Sequence, residues 1–243
     1  MMSDGQEIGT EGKILCVLHQ ESSTTGRIGQ TLRSKGYEVV KCRHACGDPL
    51  PEETSDLAGI VIFGGPMSAN DTHLAFIRNE LDWLITGKPL EVPFLGVCLG
   101  AQLLARAMGG EVGPHEYGSK EIGYHEIMTT PAGKELMGFE RSHVFQWHSE
   151  GIHLGDYGDT LAFSRRFNNQ AFSAGTQILG IQFHLEMFPE LMGRWYNKAQ
   201  PDLNIDGVHD PEHSTAASQR HFDDNGKLLD RLVDHWLGRQ MVA

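Results

Sequence analysis

The sequence predicts an α/β fold in three layers, with a mostly parallel central sheet and helices on both of its faces. Short apolar runs alternate with amphipathic stretches through the first half of the chain, and glycines stand at many of the turns. This alternation implies right-handed βαβ crossovers, which build a parallel sheet covered on both sides. Ligands of such sheets bind at the carboxyl ends of the strands, so functional residues are expected there.

The first half of the chain contains four predicted strands and three predicted helices. The helix over 74–85 is clearest, because Ile77, Leu81 and Leu84 recur at the three- and four-residue spacing of one helix face. The helix over 98–108 is followed by two glycines, which are typical of a helix C-terminus. The predicted strands span 13–18, 37–42, 59–63 and 93–97, and the remaining helix spans 24–34.

The second half of the chain is predicted to extend this sheet and to end in helices. From 122 to 183 the apolar segments shorten and alternate with glycine and aspartate turns, which is typical of antiparallel strands. Helices are predicted over 190–198 and 216–237. The polar stretch 199–214, which holds two prolines, is interpreted as the connector between them.

Composition and charge exclude several classes of protein. The hydrophobic fraction is 40% and the charged fraction 21%, which is ordinary for a globular protein and not for a disordered one. The formal net charge of −12 would repel a phosphate backbone, so nucleic acid is not an expected partner. The most apolar stretch, 92–108, is too short and too interrupted to span a bilayer, so no membrane segment is expected.

The N-terminal residues 1–12 are predicted to be a disordered tail. They carry acidic residues where a signal peptide has basic ones, and they lack its apolar core. We therefore expect a cytoplasmic protein whose four cysteines are thiols. The rest of the chain, 13–243, is expected to be a single domain with a helical extension at about 199–243.

Cys98 is the strongest candidate for chemistry. It is the central residue of a G-x-C-x-G motif, where a predicted strand meets a predicted helix. This motif is the cysteine counterpart of the serine nucleophile elbow, whose sharp turn tolerates little side chain on either side. A thiol at a helix N-terminus faces the positive end of the helix dipole, which lowers its pKa and favours the thiolate. The alternative is a buried cysteine in a packing turn.

His184 and Glu186 form a second candidate group at the end of an apolar run. Residues two apart on a strand point the same way, so Glu186 is expected to orient the imidazole of His184. A cysteine, a histidine that moves its proton and a carboxylate that orients the histidine are what nucleophilic acyl transfer needs. The chain has 13 histidines, so a single one is more simply structural, and it is the combination with Cys98 that favours a catalytic role.

Gly64, Gly65 and Pro66 follow directly after a predicted strand. Glycines let backbone N–H groups face a ligand closely. The N–H of Leu99, the first residue of its helix, has no helical partner. The N–H groups of Gly65 and Leu99 are therefore candidates for an oxyanion hole, and a plain strand-ending turn is the alternative.

These motifs, in this order, resemble the class I (triad) glutamine amidotransferases, and among them the stand-alone glutaminase-like proteins related to the amidotransferase domain of GMP synthase. The resemblance extends over about 13–195 and implies the flavodoxin-like fold of that family. The segments that carry it are 64–66, 96–102, 121–123, 146–148 and 182–186.

The resemblance implies that Cys98 is the nucleophile, His184 the general acid and base, and Glu186 the residue that orients His184. The thiolate would attack the side-chain amide of glutamine, His184 would protonate the departing ammonia, and a γ-glutamyl thioester would be hydrolysed to glutamate. The implied glutamine pocket is formed by Gly64, Gly65, Gln102, Trp147, His148 and Ser149.

Two features leave the function open. The family usually has proline between the histidine and the glutamate, whereas this chain has Leu185, so Glu186 would be held less rigidly. No synthase domain is recognised after the glutaminase part, so ammonia is expected to pass to a separate synthase subunit. A γ-glutamyl peptidase acting on glutathione-like amides would use the same acyl-enzyme, and a catalytically quiet regulatory or binding subunit would keep only the fold. The oligomeric state stays open.

No metal or other cofactor is expected. Cys42, His44 and Cys46 are potential ligands, but no second cluster completes a tetrahedral site. The stretch 202–207 matches the opening of a calcium loop, yet the last ligand position holds His213 where a bidentate glutamate is needed.

Overall fold

A computed structural model describes residues 11–238 of the chain. The strands are β1 (Lys13–Val17), β2 (Glu38–Cys42), β3 (Leu57–Ile62), β4 (Phe94–Val97), β5 (Glu111–Pro114), β6 (Glu121–Thr129), β7 (Arg141–His148), β8 (Glu150–His153), β9 (Asp159–Phe163), β10 (Ala171–Ala174) and β11 (Ile178–Ile181). The α-helices are α1 (Gly26–Ser34), α2 (Ala75–Ile85), α3 (Leu99–Ala107), α4 (Pro131–Met137), α5 (Pro189–Ala199) and α6 (Pro211–Trp236). Two short 3₁₀ helices lie at His44–Cys46 and Lys88–Glu91.

The main sheet has the order β2-β1-β3-β4-β11-β10-β9-β6-β7. The strands from β2 to β11 run parallel, and β10, β9, β6 and β7 continue the sheet with antiparallel pairing. The predicted α/β architecture is thus confirmed, including the antiparallel extension. The last strand, β11, returns to lie parallel to β4, so segments more than 80 positions apart in sequence end side by side.

The helices cover both faces of the sheet, as predicted. Residues of α1, α4 and α6 share one apolar cluster with the sheet, and residues of α2 and α3 share a second one. Trp236, near the end of α6, is fully buried in the first cluster. The C-terminal helix therefore packs on the sheet of its own chain.

Two parts of the second half differ from the sequence expectation. Helix α4 lies within the region predicted to be all strand, because Pro131 occupies its first turn and the Thr130 hydroxyl accepts a hydrogen bond from the Gly133 N–H. The segment 199–214, interpreted from the sequence as a connector, also pairs with the sheet. Its Gly207 carbonyl accepts from the Ile122 N–H at 3.0 Å, which pairs this segment with the start of β6.

The ends of the chain give two further facts. Residues 1–10 of the predicted tail lie outside the described residues, whereas Glu11 donates a backbone hydrogen bond to Gly36 and Gly12 accepts one from Glu38. Within the described range 11–238, no helix is long and apolar enough to cross a membrane.

Helix α3 packs so closely on the sheet that its second residue has no room for a side chain. A Cβ atom added to Gly100 would overlap the carbonyl oxygen of Ile62, at the end of β3. Backbone atoms cannot move aside as the end of a flexible side chain can, so the position demands glycine.

We expect Gly100→Ala to lower the free energy of unfolding by about 3 kcal/mol, because the added methyl group overpacks backbone against backbone. Gly193→Ala is the matched control: Gly193 lies inside α5, and a Cβ atom added there would have no neighbouring atom within 4 Å. That change should raise the free energy of unfolding by about 1 kcal/mol through helix propensity. Urea denaturation measures both values, and equal effects of the two changes would contradict the packing argument.

Candidate active site

Cys98 is the residue between β4 and α3, and its backbone is strained. It has φ 50° and ψ −105°, a conformation that residues other than glycine seldom adopt. The turn leaves no space at Gly96, where a Cβ atom would come within 2.7 Å of the Gly100 and Ala101 backbone. The Cys98 N–H donates to the Ile181 carbonyl at 2.8 Å, which ties the elbow to the end of β11. The geometry is that of the predicted elbow.

His184 and Glu186 are in direct contact. The Nδ1 atom of His184 lies 2.6 Å from Oε1 of Glu186, and both side chains are buried. The contact agrees with the sequence expectation, but the reason given for it is wrong: β11 ends at Ile181, and both residues lie in the loop that follows. The loop conformation brings them together, not strand alternation.

The loop that contains His184 and Glu186 is held in place although Leu185 stands between them. Leu185 is buried in the core cluster that includes α1 and α6. The backbone carbonyl of Glu186 accepts a hydrogen bond from the Arg27 N–H, in the first turn of α1, at 3.0 Å. Packing and this hydrogen bond fix the segment where the family's usual proline would restrict φ.

The electrostatic setting favours a protonated His184. Burial acts to lower its pKa, but the Glu186 carboxylate and the Cys98 sulfur outweigh burial and raise it to about 10. Nδ1 is engaged with Glu186, and Nε2 has no hydrogen-bond partner among the described residues. A Cβ atom added to Gly64 would lie 3.0 Å from Cε1 of His184 and 3.4 Å from Cβ of Cys98, so these side chains flank the same glycine.

Cys98 lies between two cavities. The smaller has a volume of about 240 Å³. The larger has a volume of about 610 Å³, and both His184 and Glu186 line this one only. Cys98 therefore lines both a small recess and a wider space beside His184.

Most residues of the predicted glutamine pocket line the smaller cavity. The predicted pocket residues that line the smaller cavity are Gly65, Gln102, Trp147, His148 and Ser149. Gly64 does not line it and faces the larger cavity instead. Gln102 is almost fully buried, and its amide donates to the Glu150 carbonyl at 3.2 Å and to Oε1 of Gln182 at 3.3 Å.

A buried polar network, which the sequence analysis missed, holds the wall of the smaller cavity. Nε2 of His148 lies 3.4 Å from Oε2 of Glu121, and Gln170 donates to the same oxygen at 2.6 Å. Burial opposes ionisation of Glu121, but His148 outweighs it and lowers the pKa of that carboxyl. The Glu121 carboxylate in this network orients the imidazole of His148 through Nε2.

His19 and Glu80 form a second buried pair that was missed. Nε2 of His19 lies 2.9 Å from Oε2 of Glu80, both side chains are fully buried, and Nδ1 of His19 lies 3.2 Å from the Gly64 carbonyl oxygen. The sequence did contain a signal. Glu80 stands three residues after Ile77 and four before Leu84, so a carboxylate occupies the apolar face of a predicted helix.

The residues weighed as metal ligands make other contacts. The Cys42 thiol donates to the Pro49 carbonyl, and Asp206 accepts two hydrogen bonds from the Arg166 guanidinium at 2.9 and 2.8 Å. Between residues 11 and 238, no three His, Cys, Asp or Glu side chains are grouped to hold a metal ion.

Comparison with known proteins places this geometry in a family. The family model described as glutamine amidotransferase class-I matches residues 16–199. The chain is 27% identical over 198 residues to the glutamine amidotransferase-like protein YfeJ of Salmonella typhimurium, covering 77% of this chain and 81% of that protein. It is 34% identical over 179 residues to a GMP synthase of Porphyromonas gingivalis, covering 72% of this chain and 33% of that enzyme.

Solved structures agree with the sequence relatives. A glutamine amidotransferase from Thermotoga maritima superposes with a TM-score of 0.82 at 27% identity, covering 93% of this chain and 98% of the other. One from Methylobacillus flagellatus gives a TM-score of 0.83 at 25% identity, covering 96% and 97%. The fold, the elbow and the matched family model lead to one conclusion: this chain belongs to the class I glutamine amidotransferases.

Proposed function

We propose that this protein hydrolyses the side-chain amide of glutamine through a γ-glutamyl thioester on Cys98. The observation that carries the proposal is the hydrogen-bonded His184–Glu186 pair beside a cysteine at a strained elbow between two cavities. Family membership supports the reaction class. The ammonia released would serve a separate synthase subunit, a proposal that the similarity to part of a GMP synthase supports.

The proposed reaction proceeds through attack by Cys98, stabilisation of the oxyanion and proton transfer by His184. The Cys98 sulfur attacks the amide carbon of glutamine as a thiolate, with the imidazolium of His184 beside it. The N–H groups of Gly65 and Leu99 are proposed to hold the oxyanion of the tetrahedral intermediate. His184 donates its proton to the nitrogen as the C–N bond breaks, and then takes a proton from the water that attacks the thioester. Glutamate and ammonia are the products.

Cys98 is the proposed nucleophile. We expect the purified chain to release glutamate from glutamine, and Cys98→Ala to lower this rate by about a thousandfold or more, because the thioester cannot form. Cys46→Ala is the matched control, since Cys46 is an exposed free thiol that lines neither cavity. Glutamate is measured by a coupled dehydrogenase assay. Equal turnover by the Cys98→Ala and Cys46→Ala proteins would rule out the proposed nucleophile.

The rate of glutamine hydrolysis should depend on pH through His184. The Glu186 carboxylate raises the pKa of His184, so the proton that the imidazolium donates is kept to well above neutral pH. We expect Glu186→Gln to remove this support and to move the alkaline limb of the kcat/KM profile for glutamine downward by about one pH unit or more. An alkaline limb at the same pH in both proteins would show that Glu186 does not set the protonation of His184.

A further inference from the structure

His19, which takes no part in the proposed steps, lies against the segment 64–66, called the glycine loop below. His19 follows β1 and the glycine loop follows β3, and these strands are parallel neighbours with Val17 opposite Ile62. The carboxyl ends of neighbouring parallel strands meet at the same edge of a sheet. The sheet therefore brings His19 to the glycine loop from 45 positions away in the sequence.

The imidazole of His19 contacts a different group with each of its nitrogens. Nδ1 lies 3.2 Å from the Gly64 carbonyl oxygen, and Nε2 lies 2.9 Å from Oε2 of Glu80. A carbonyl oxygen can only accept, so Nδ1 carries a proton and donates it to Gly64. This holds whichever of Nε2 and Oε2 carries the proton between them.

Close contacts require glycine at both 64 and 65. A Cβ atom added to Gly64 would lie 3.0 Å from Cε1 of His184, and one added to Gly65 would lie 2.9 Å from Cβ of His19. Glycine has wide conformational freedom because it lacks Cβ. The peptide between Gly64 and Gly65 therefore has no side chain on either flank to restrict its rotation, and another contact must hold it.

The hydrogen bond from His19 selects one orientation of that peptide. The peptide bond is trans, so its C=O and N–H groups point in opposite directions. With the Gly64 carbonyl turned toward Nδ1, the Gly65 N–H points away from His19. Half a turn of the peptide would bring this N–H against the N–H of His19, and two facing donors leave both without a partner.

The Gly65 N–H is available to a ligand next to Cys98. It makes no hydrogen bond within residues 11–238, and neither does the Leu99 N–H. Gly65 and Cys98 line both cavities, and a Cβ atom on Gly65 would lie 3.0 Å from Cδ2 of Leu99. The two candidate donors for one oxyanion are therefore neighbours beside the nucleophile.

Glu80 holds the imidazole of His19 from the side opposite to the glycine loop. It lies on α2, on the same face as Ile77 and Leu84, and both members of the His19–Glu80 pair are fully buried. A buried carboxyl group is costly unless it is paired. Its Oε1 atom has no hydrogen-bond partner among the described residues, so the contact of Oε2 with His19 is what compensates burial.

We propose that His19 is a positioning residue, which fixes the Gly64–Gly65 peptide so that the Gly65 N–H is aimed at the oxyanion formed when Cys98 attacks. His19 lines neither cavity, so it acts through the glycine loop and not by touching the substrate. The inference rests on the proposed thioester chemistry, because only that chemistry forms an oxyanion. A donor that acts on the oxyanion lowers the barrier of the reaction without tightening the binding of glutamine.

The test compares two proteins that differ only at position 19. In a Glu80→Gln background, which leaves no buried carboxylate without a partner, His19→Asn keeps an N–H at the side-chain position of Nδ1 and His19→Leu removes it. Asparagine and leucine have the same branching, and both are too short to replace the contact that Nε2 makes. The two proteins therefore differ in the donor to Gly64 and lose the contact to position 80 alike.

We expect the His19→Leu protein to have a kcat for glutamine about tenfold or more below that of the His19→Asn protein, because its oxyanion donor is no longer aimed. The KM values should agree within about twofold, since the donor acts in the transition state. A coupled dehydrogenase assay of glutamate gives both constants. His19→Ala, which also lacks the donor, replaces His19→Leu if that protein does not fold.

Alkylation of Cys98 by iodoacetamide separates aiming of the donor from damage to the site. The sulfur displaces iodide from a saturated carbon, so no oxyanion forms. The rate at Cys98, relative to that at exposed Cys46, should agree within about twofold between the two proteins. Mass spectrometry of the cysteine peptides measures both rates.

Asn225→Leu in the same background is the matched control. Asn225 is buried, donates to the His143 carbonyl at 2.9 Å and lines neither cavity. The change takes a side-chain donor from a backbone carbonyl, as His19→Leu does, but away from the glycine loop. It should leave kcat within about twofold of the Glu80→Gln protein.

Equal kcat values in the His19→Asn and His19→Leu proteins would overturn the positioning role. A parallel fall of turnover and alkylation in the His19→Leu protein, or a similar loss of kcat in the Asn225→Leu protein, would also overturn it, because each indicates general damage. If the natural chain hydrolyses glutamine but a folded Glu80→Gln protein that alkylates at Cys98 does not, the inference fails and the proposed function stands. A natural chain that alkylates at Cys98 but never hydrolyses glutamine would overturn the proposed function itself.

Discussion

The parallel pairing of β4 with β11 is the constraint on which the site depends. Ile181 lies opposite Val97, and the Cys98 N–H donates to the Ile181 carbonyl. The carboxyl ends of neighbouring parallel strands meet at the same edge of a sheet. The loop with Cys98 and the loop with His184 and Glu186 therefore emerge side by side. The end of β7, the last strand of the antiparallel extension beyond β11, then supplies Trp147 and His148 to the wall of the smaller cavity.

The elbow illustrates how tight packing and strain occur together. A left-handed backbone at Cys98 is unfavourable for a residue with a side chain, and such strain persists only where the surroundings over-determine it. Here the surroundings are backbone: α3 lies on the end of β3 at Gly100 and on its own strand at Gly96. The strain lifts the thiol toward the cavities, and the free energy of core packing on both faces of the sheet offsets it.

Two buried histidine–carboxylate pairs approach the same loop from opposite sides. His184 with Glu186 lies on the cavity side of Gly64, and His19 with Glu80 contacts the carbonyl of Gly64 from within the fold. A buried charge is costly unless it is paired, so each pair holds its members in one geometry. Arg194 and Lys198 also line the larger cavity, in a chain whose formal net charge is −12.

The layered α/β fold, the elbow at Cys98 and the identity of the candidate residues could be predicted from the amino-acid sequence, because these depend on local patterns: apolar periodicity, glycine spacing and residue type. Contacts that depend on how distant segments dock could not. The approach of Glu80 to His19 and the division of space around Cys98 into two cavities follow from tertiary packing. Even the correct pairing of His184 with Glu186 arises from a loop held by Arg27 and the core, since only packing sets the direction of side chains where regular structure ends.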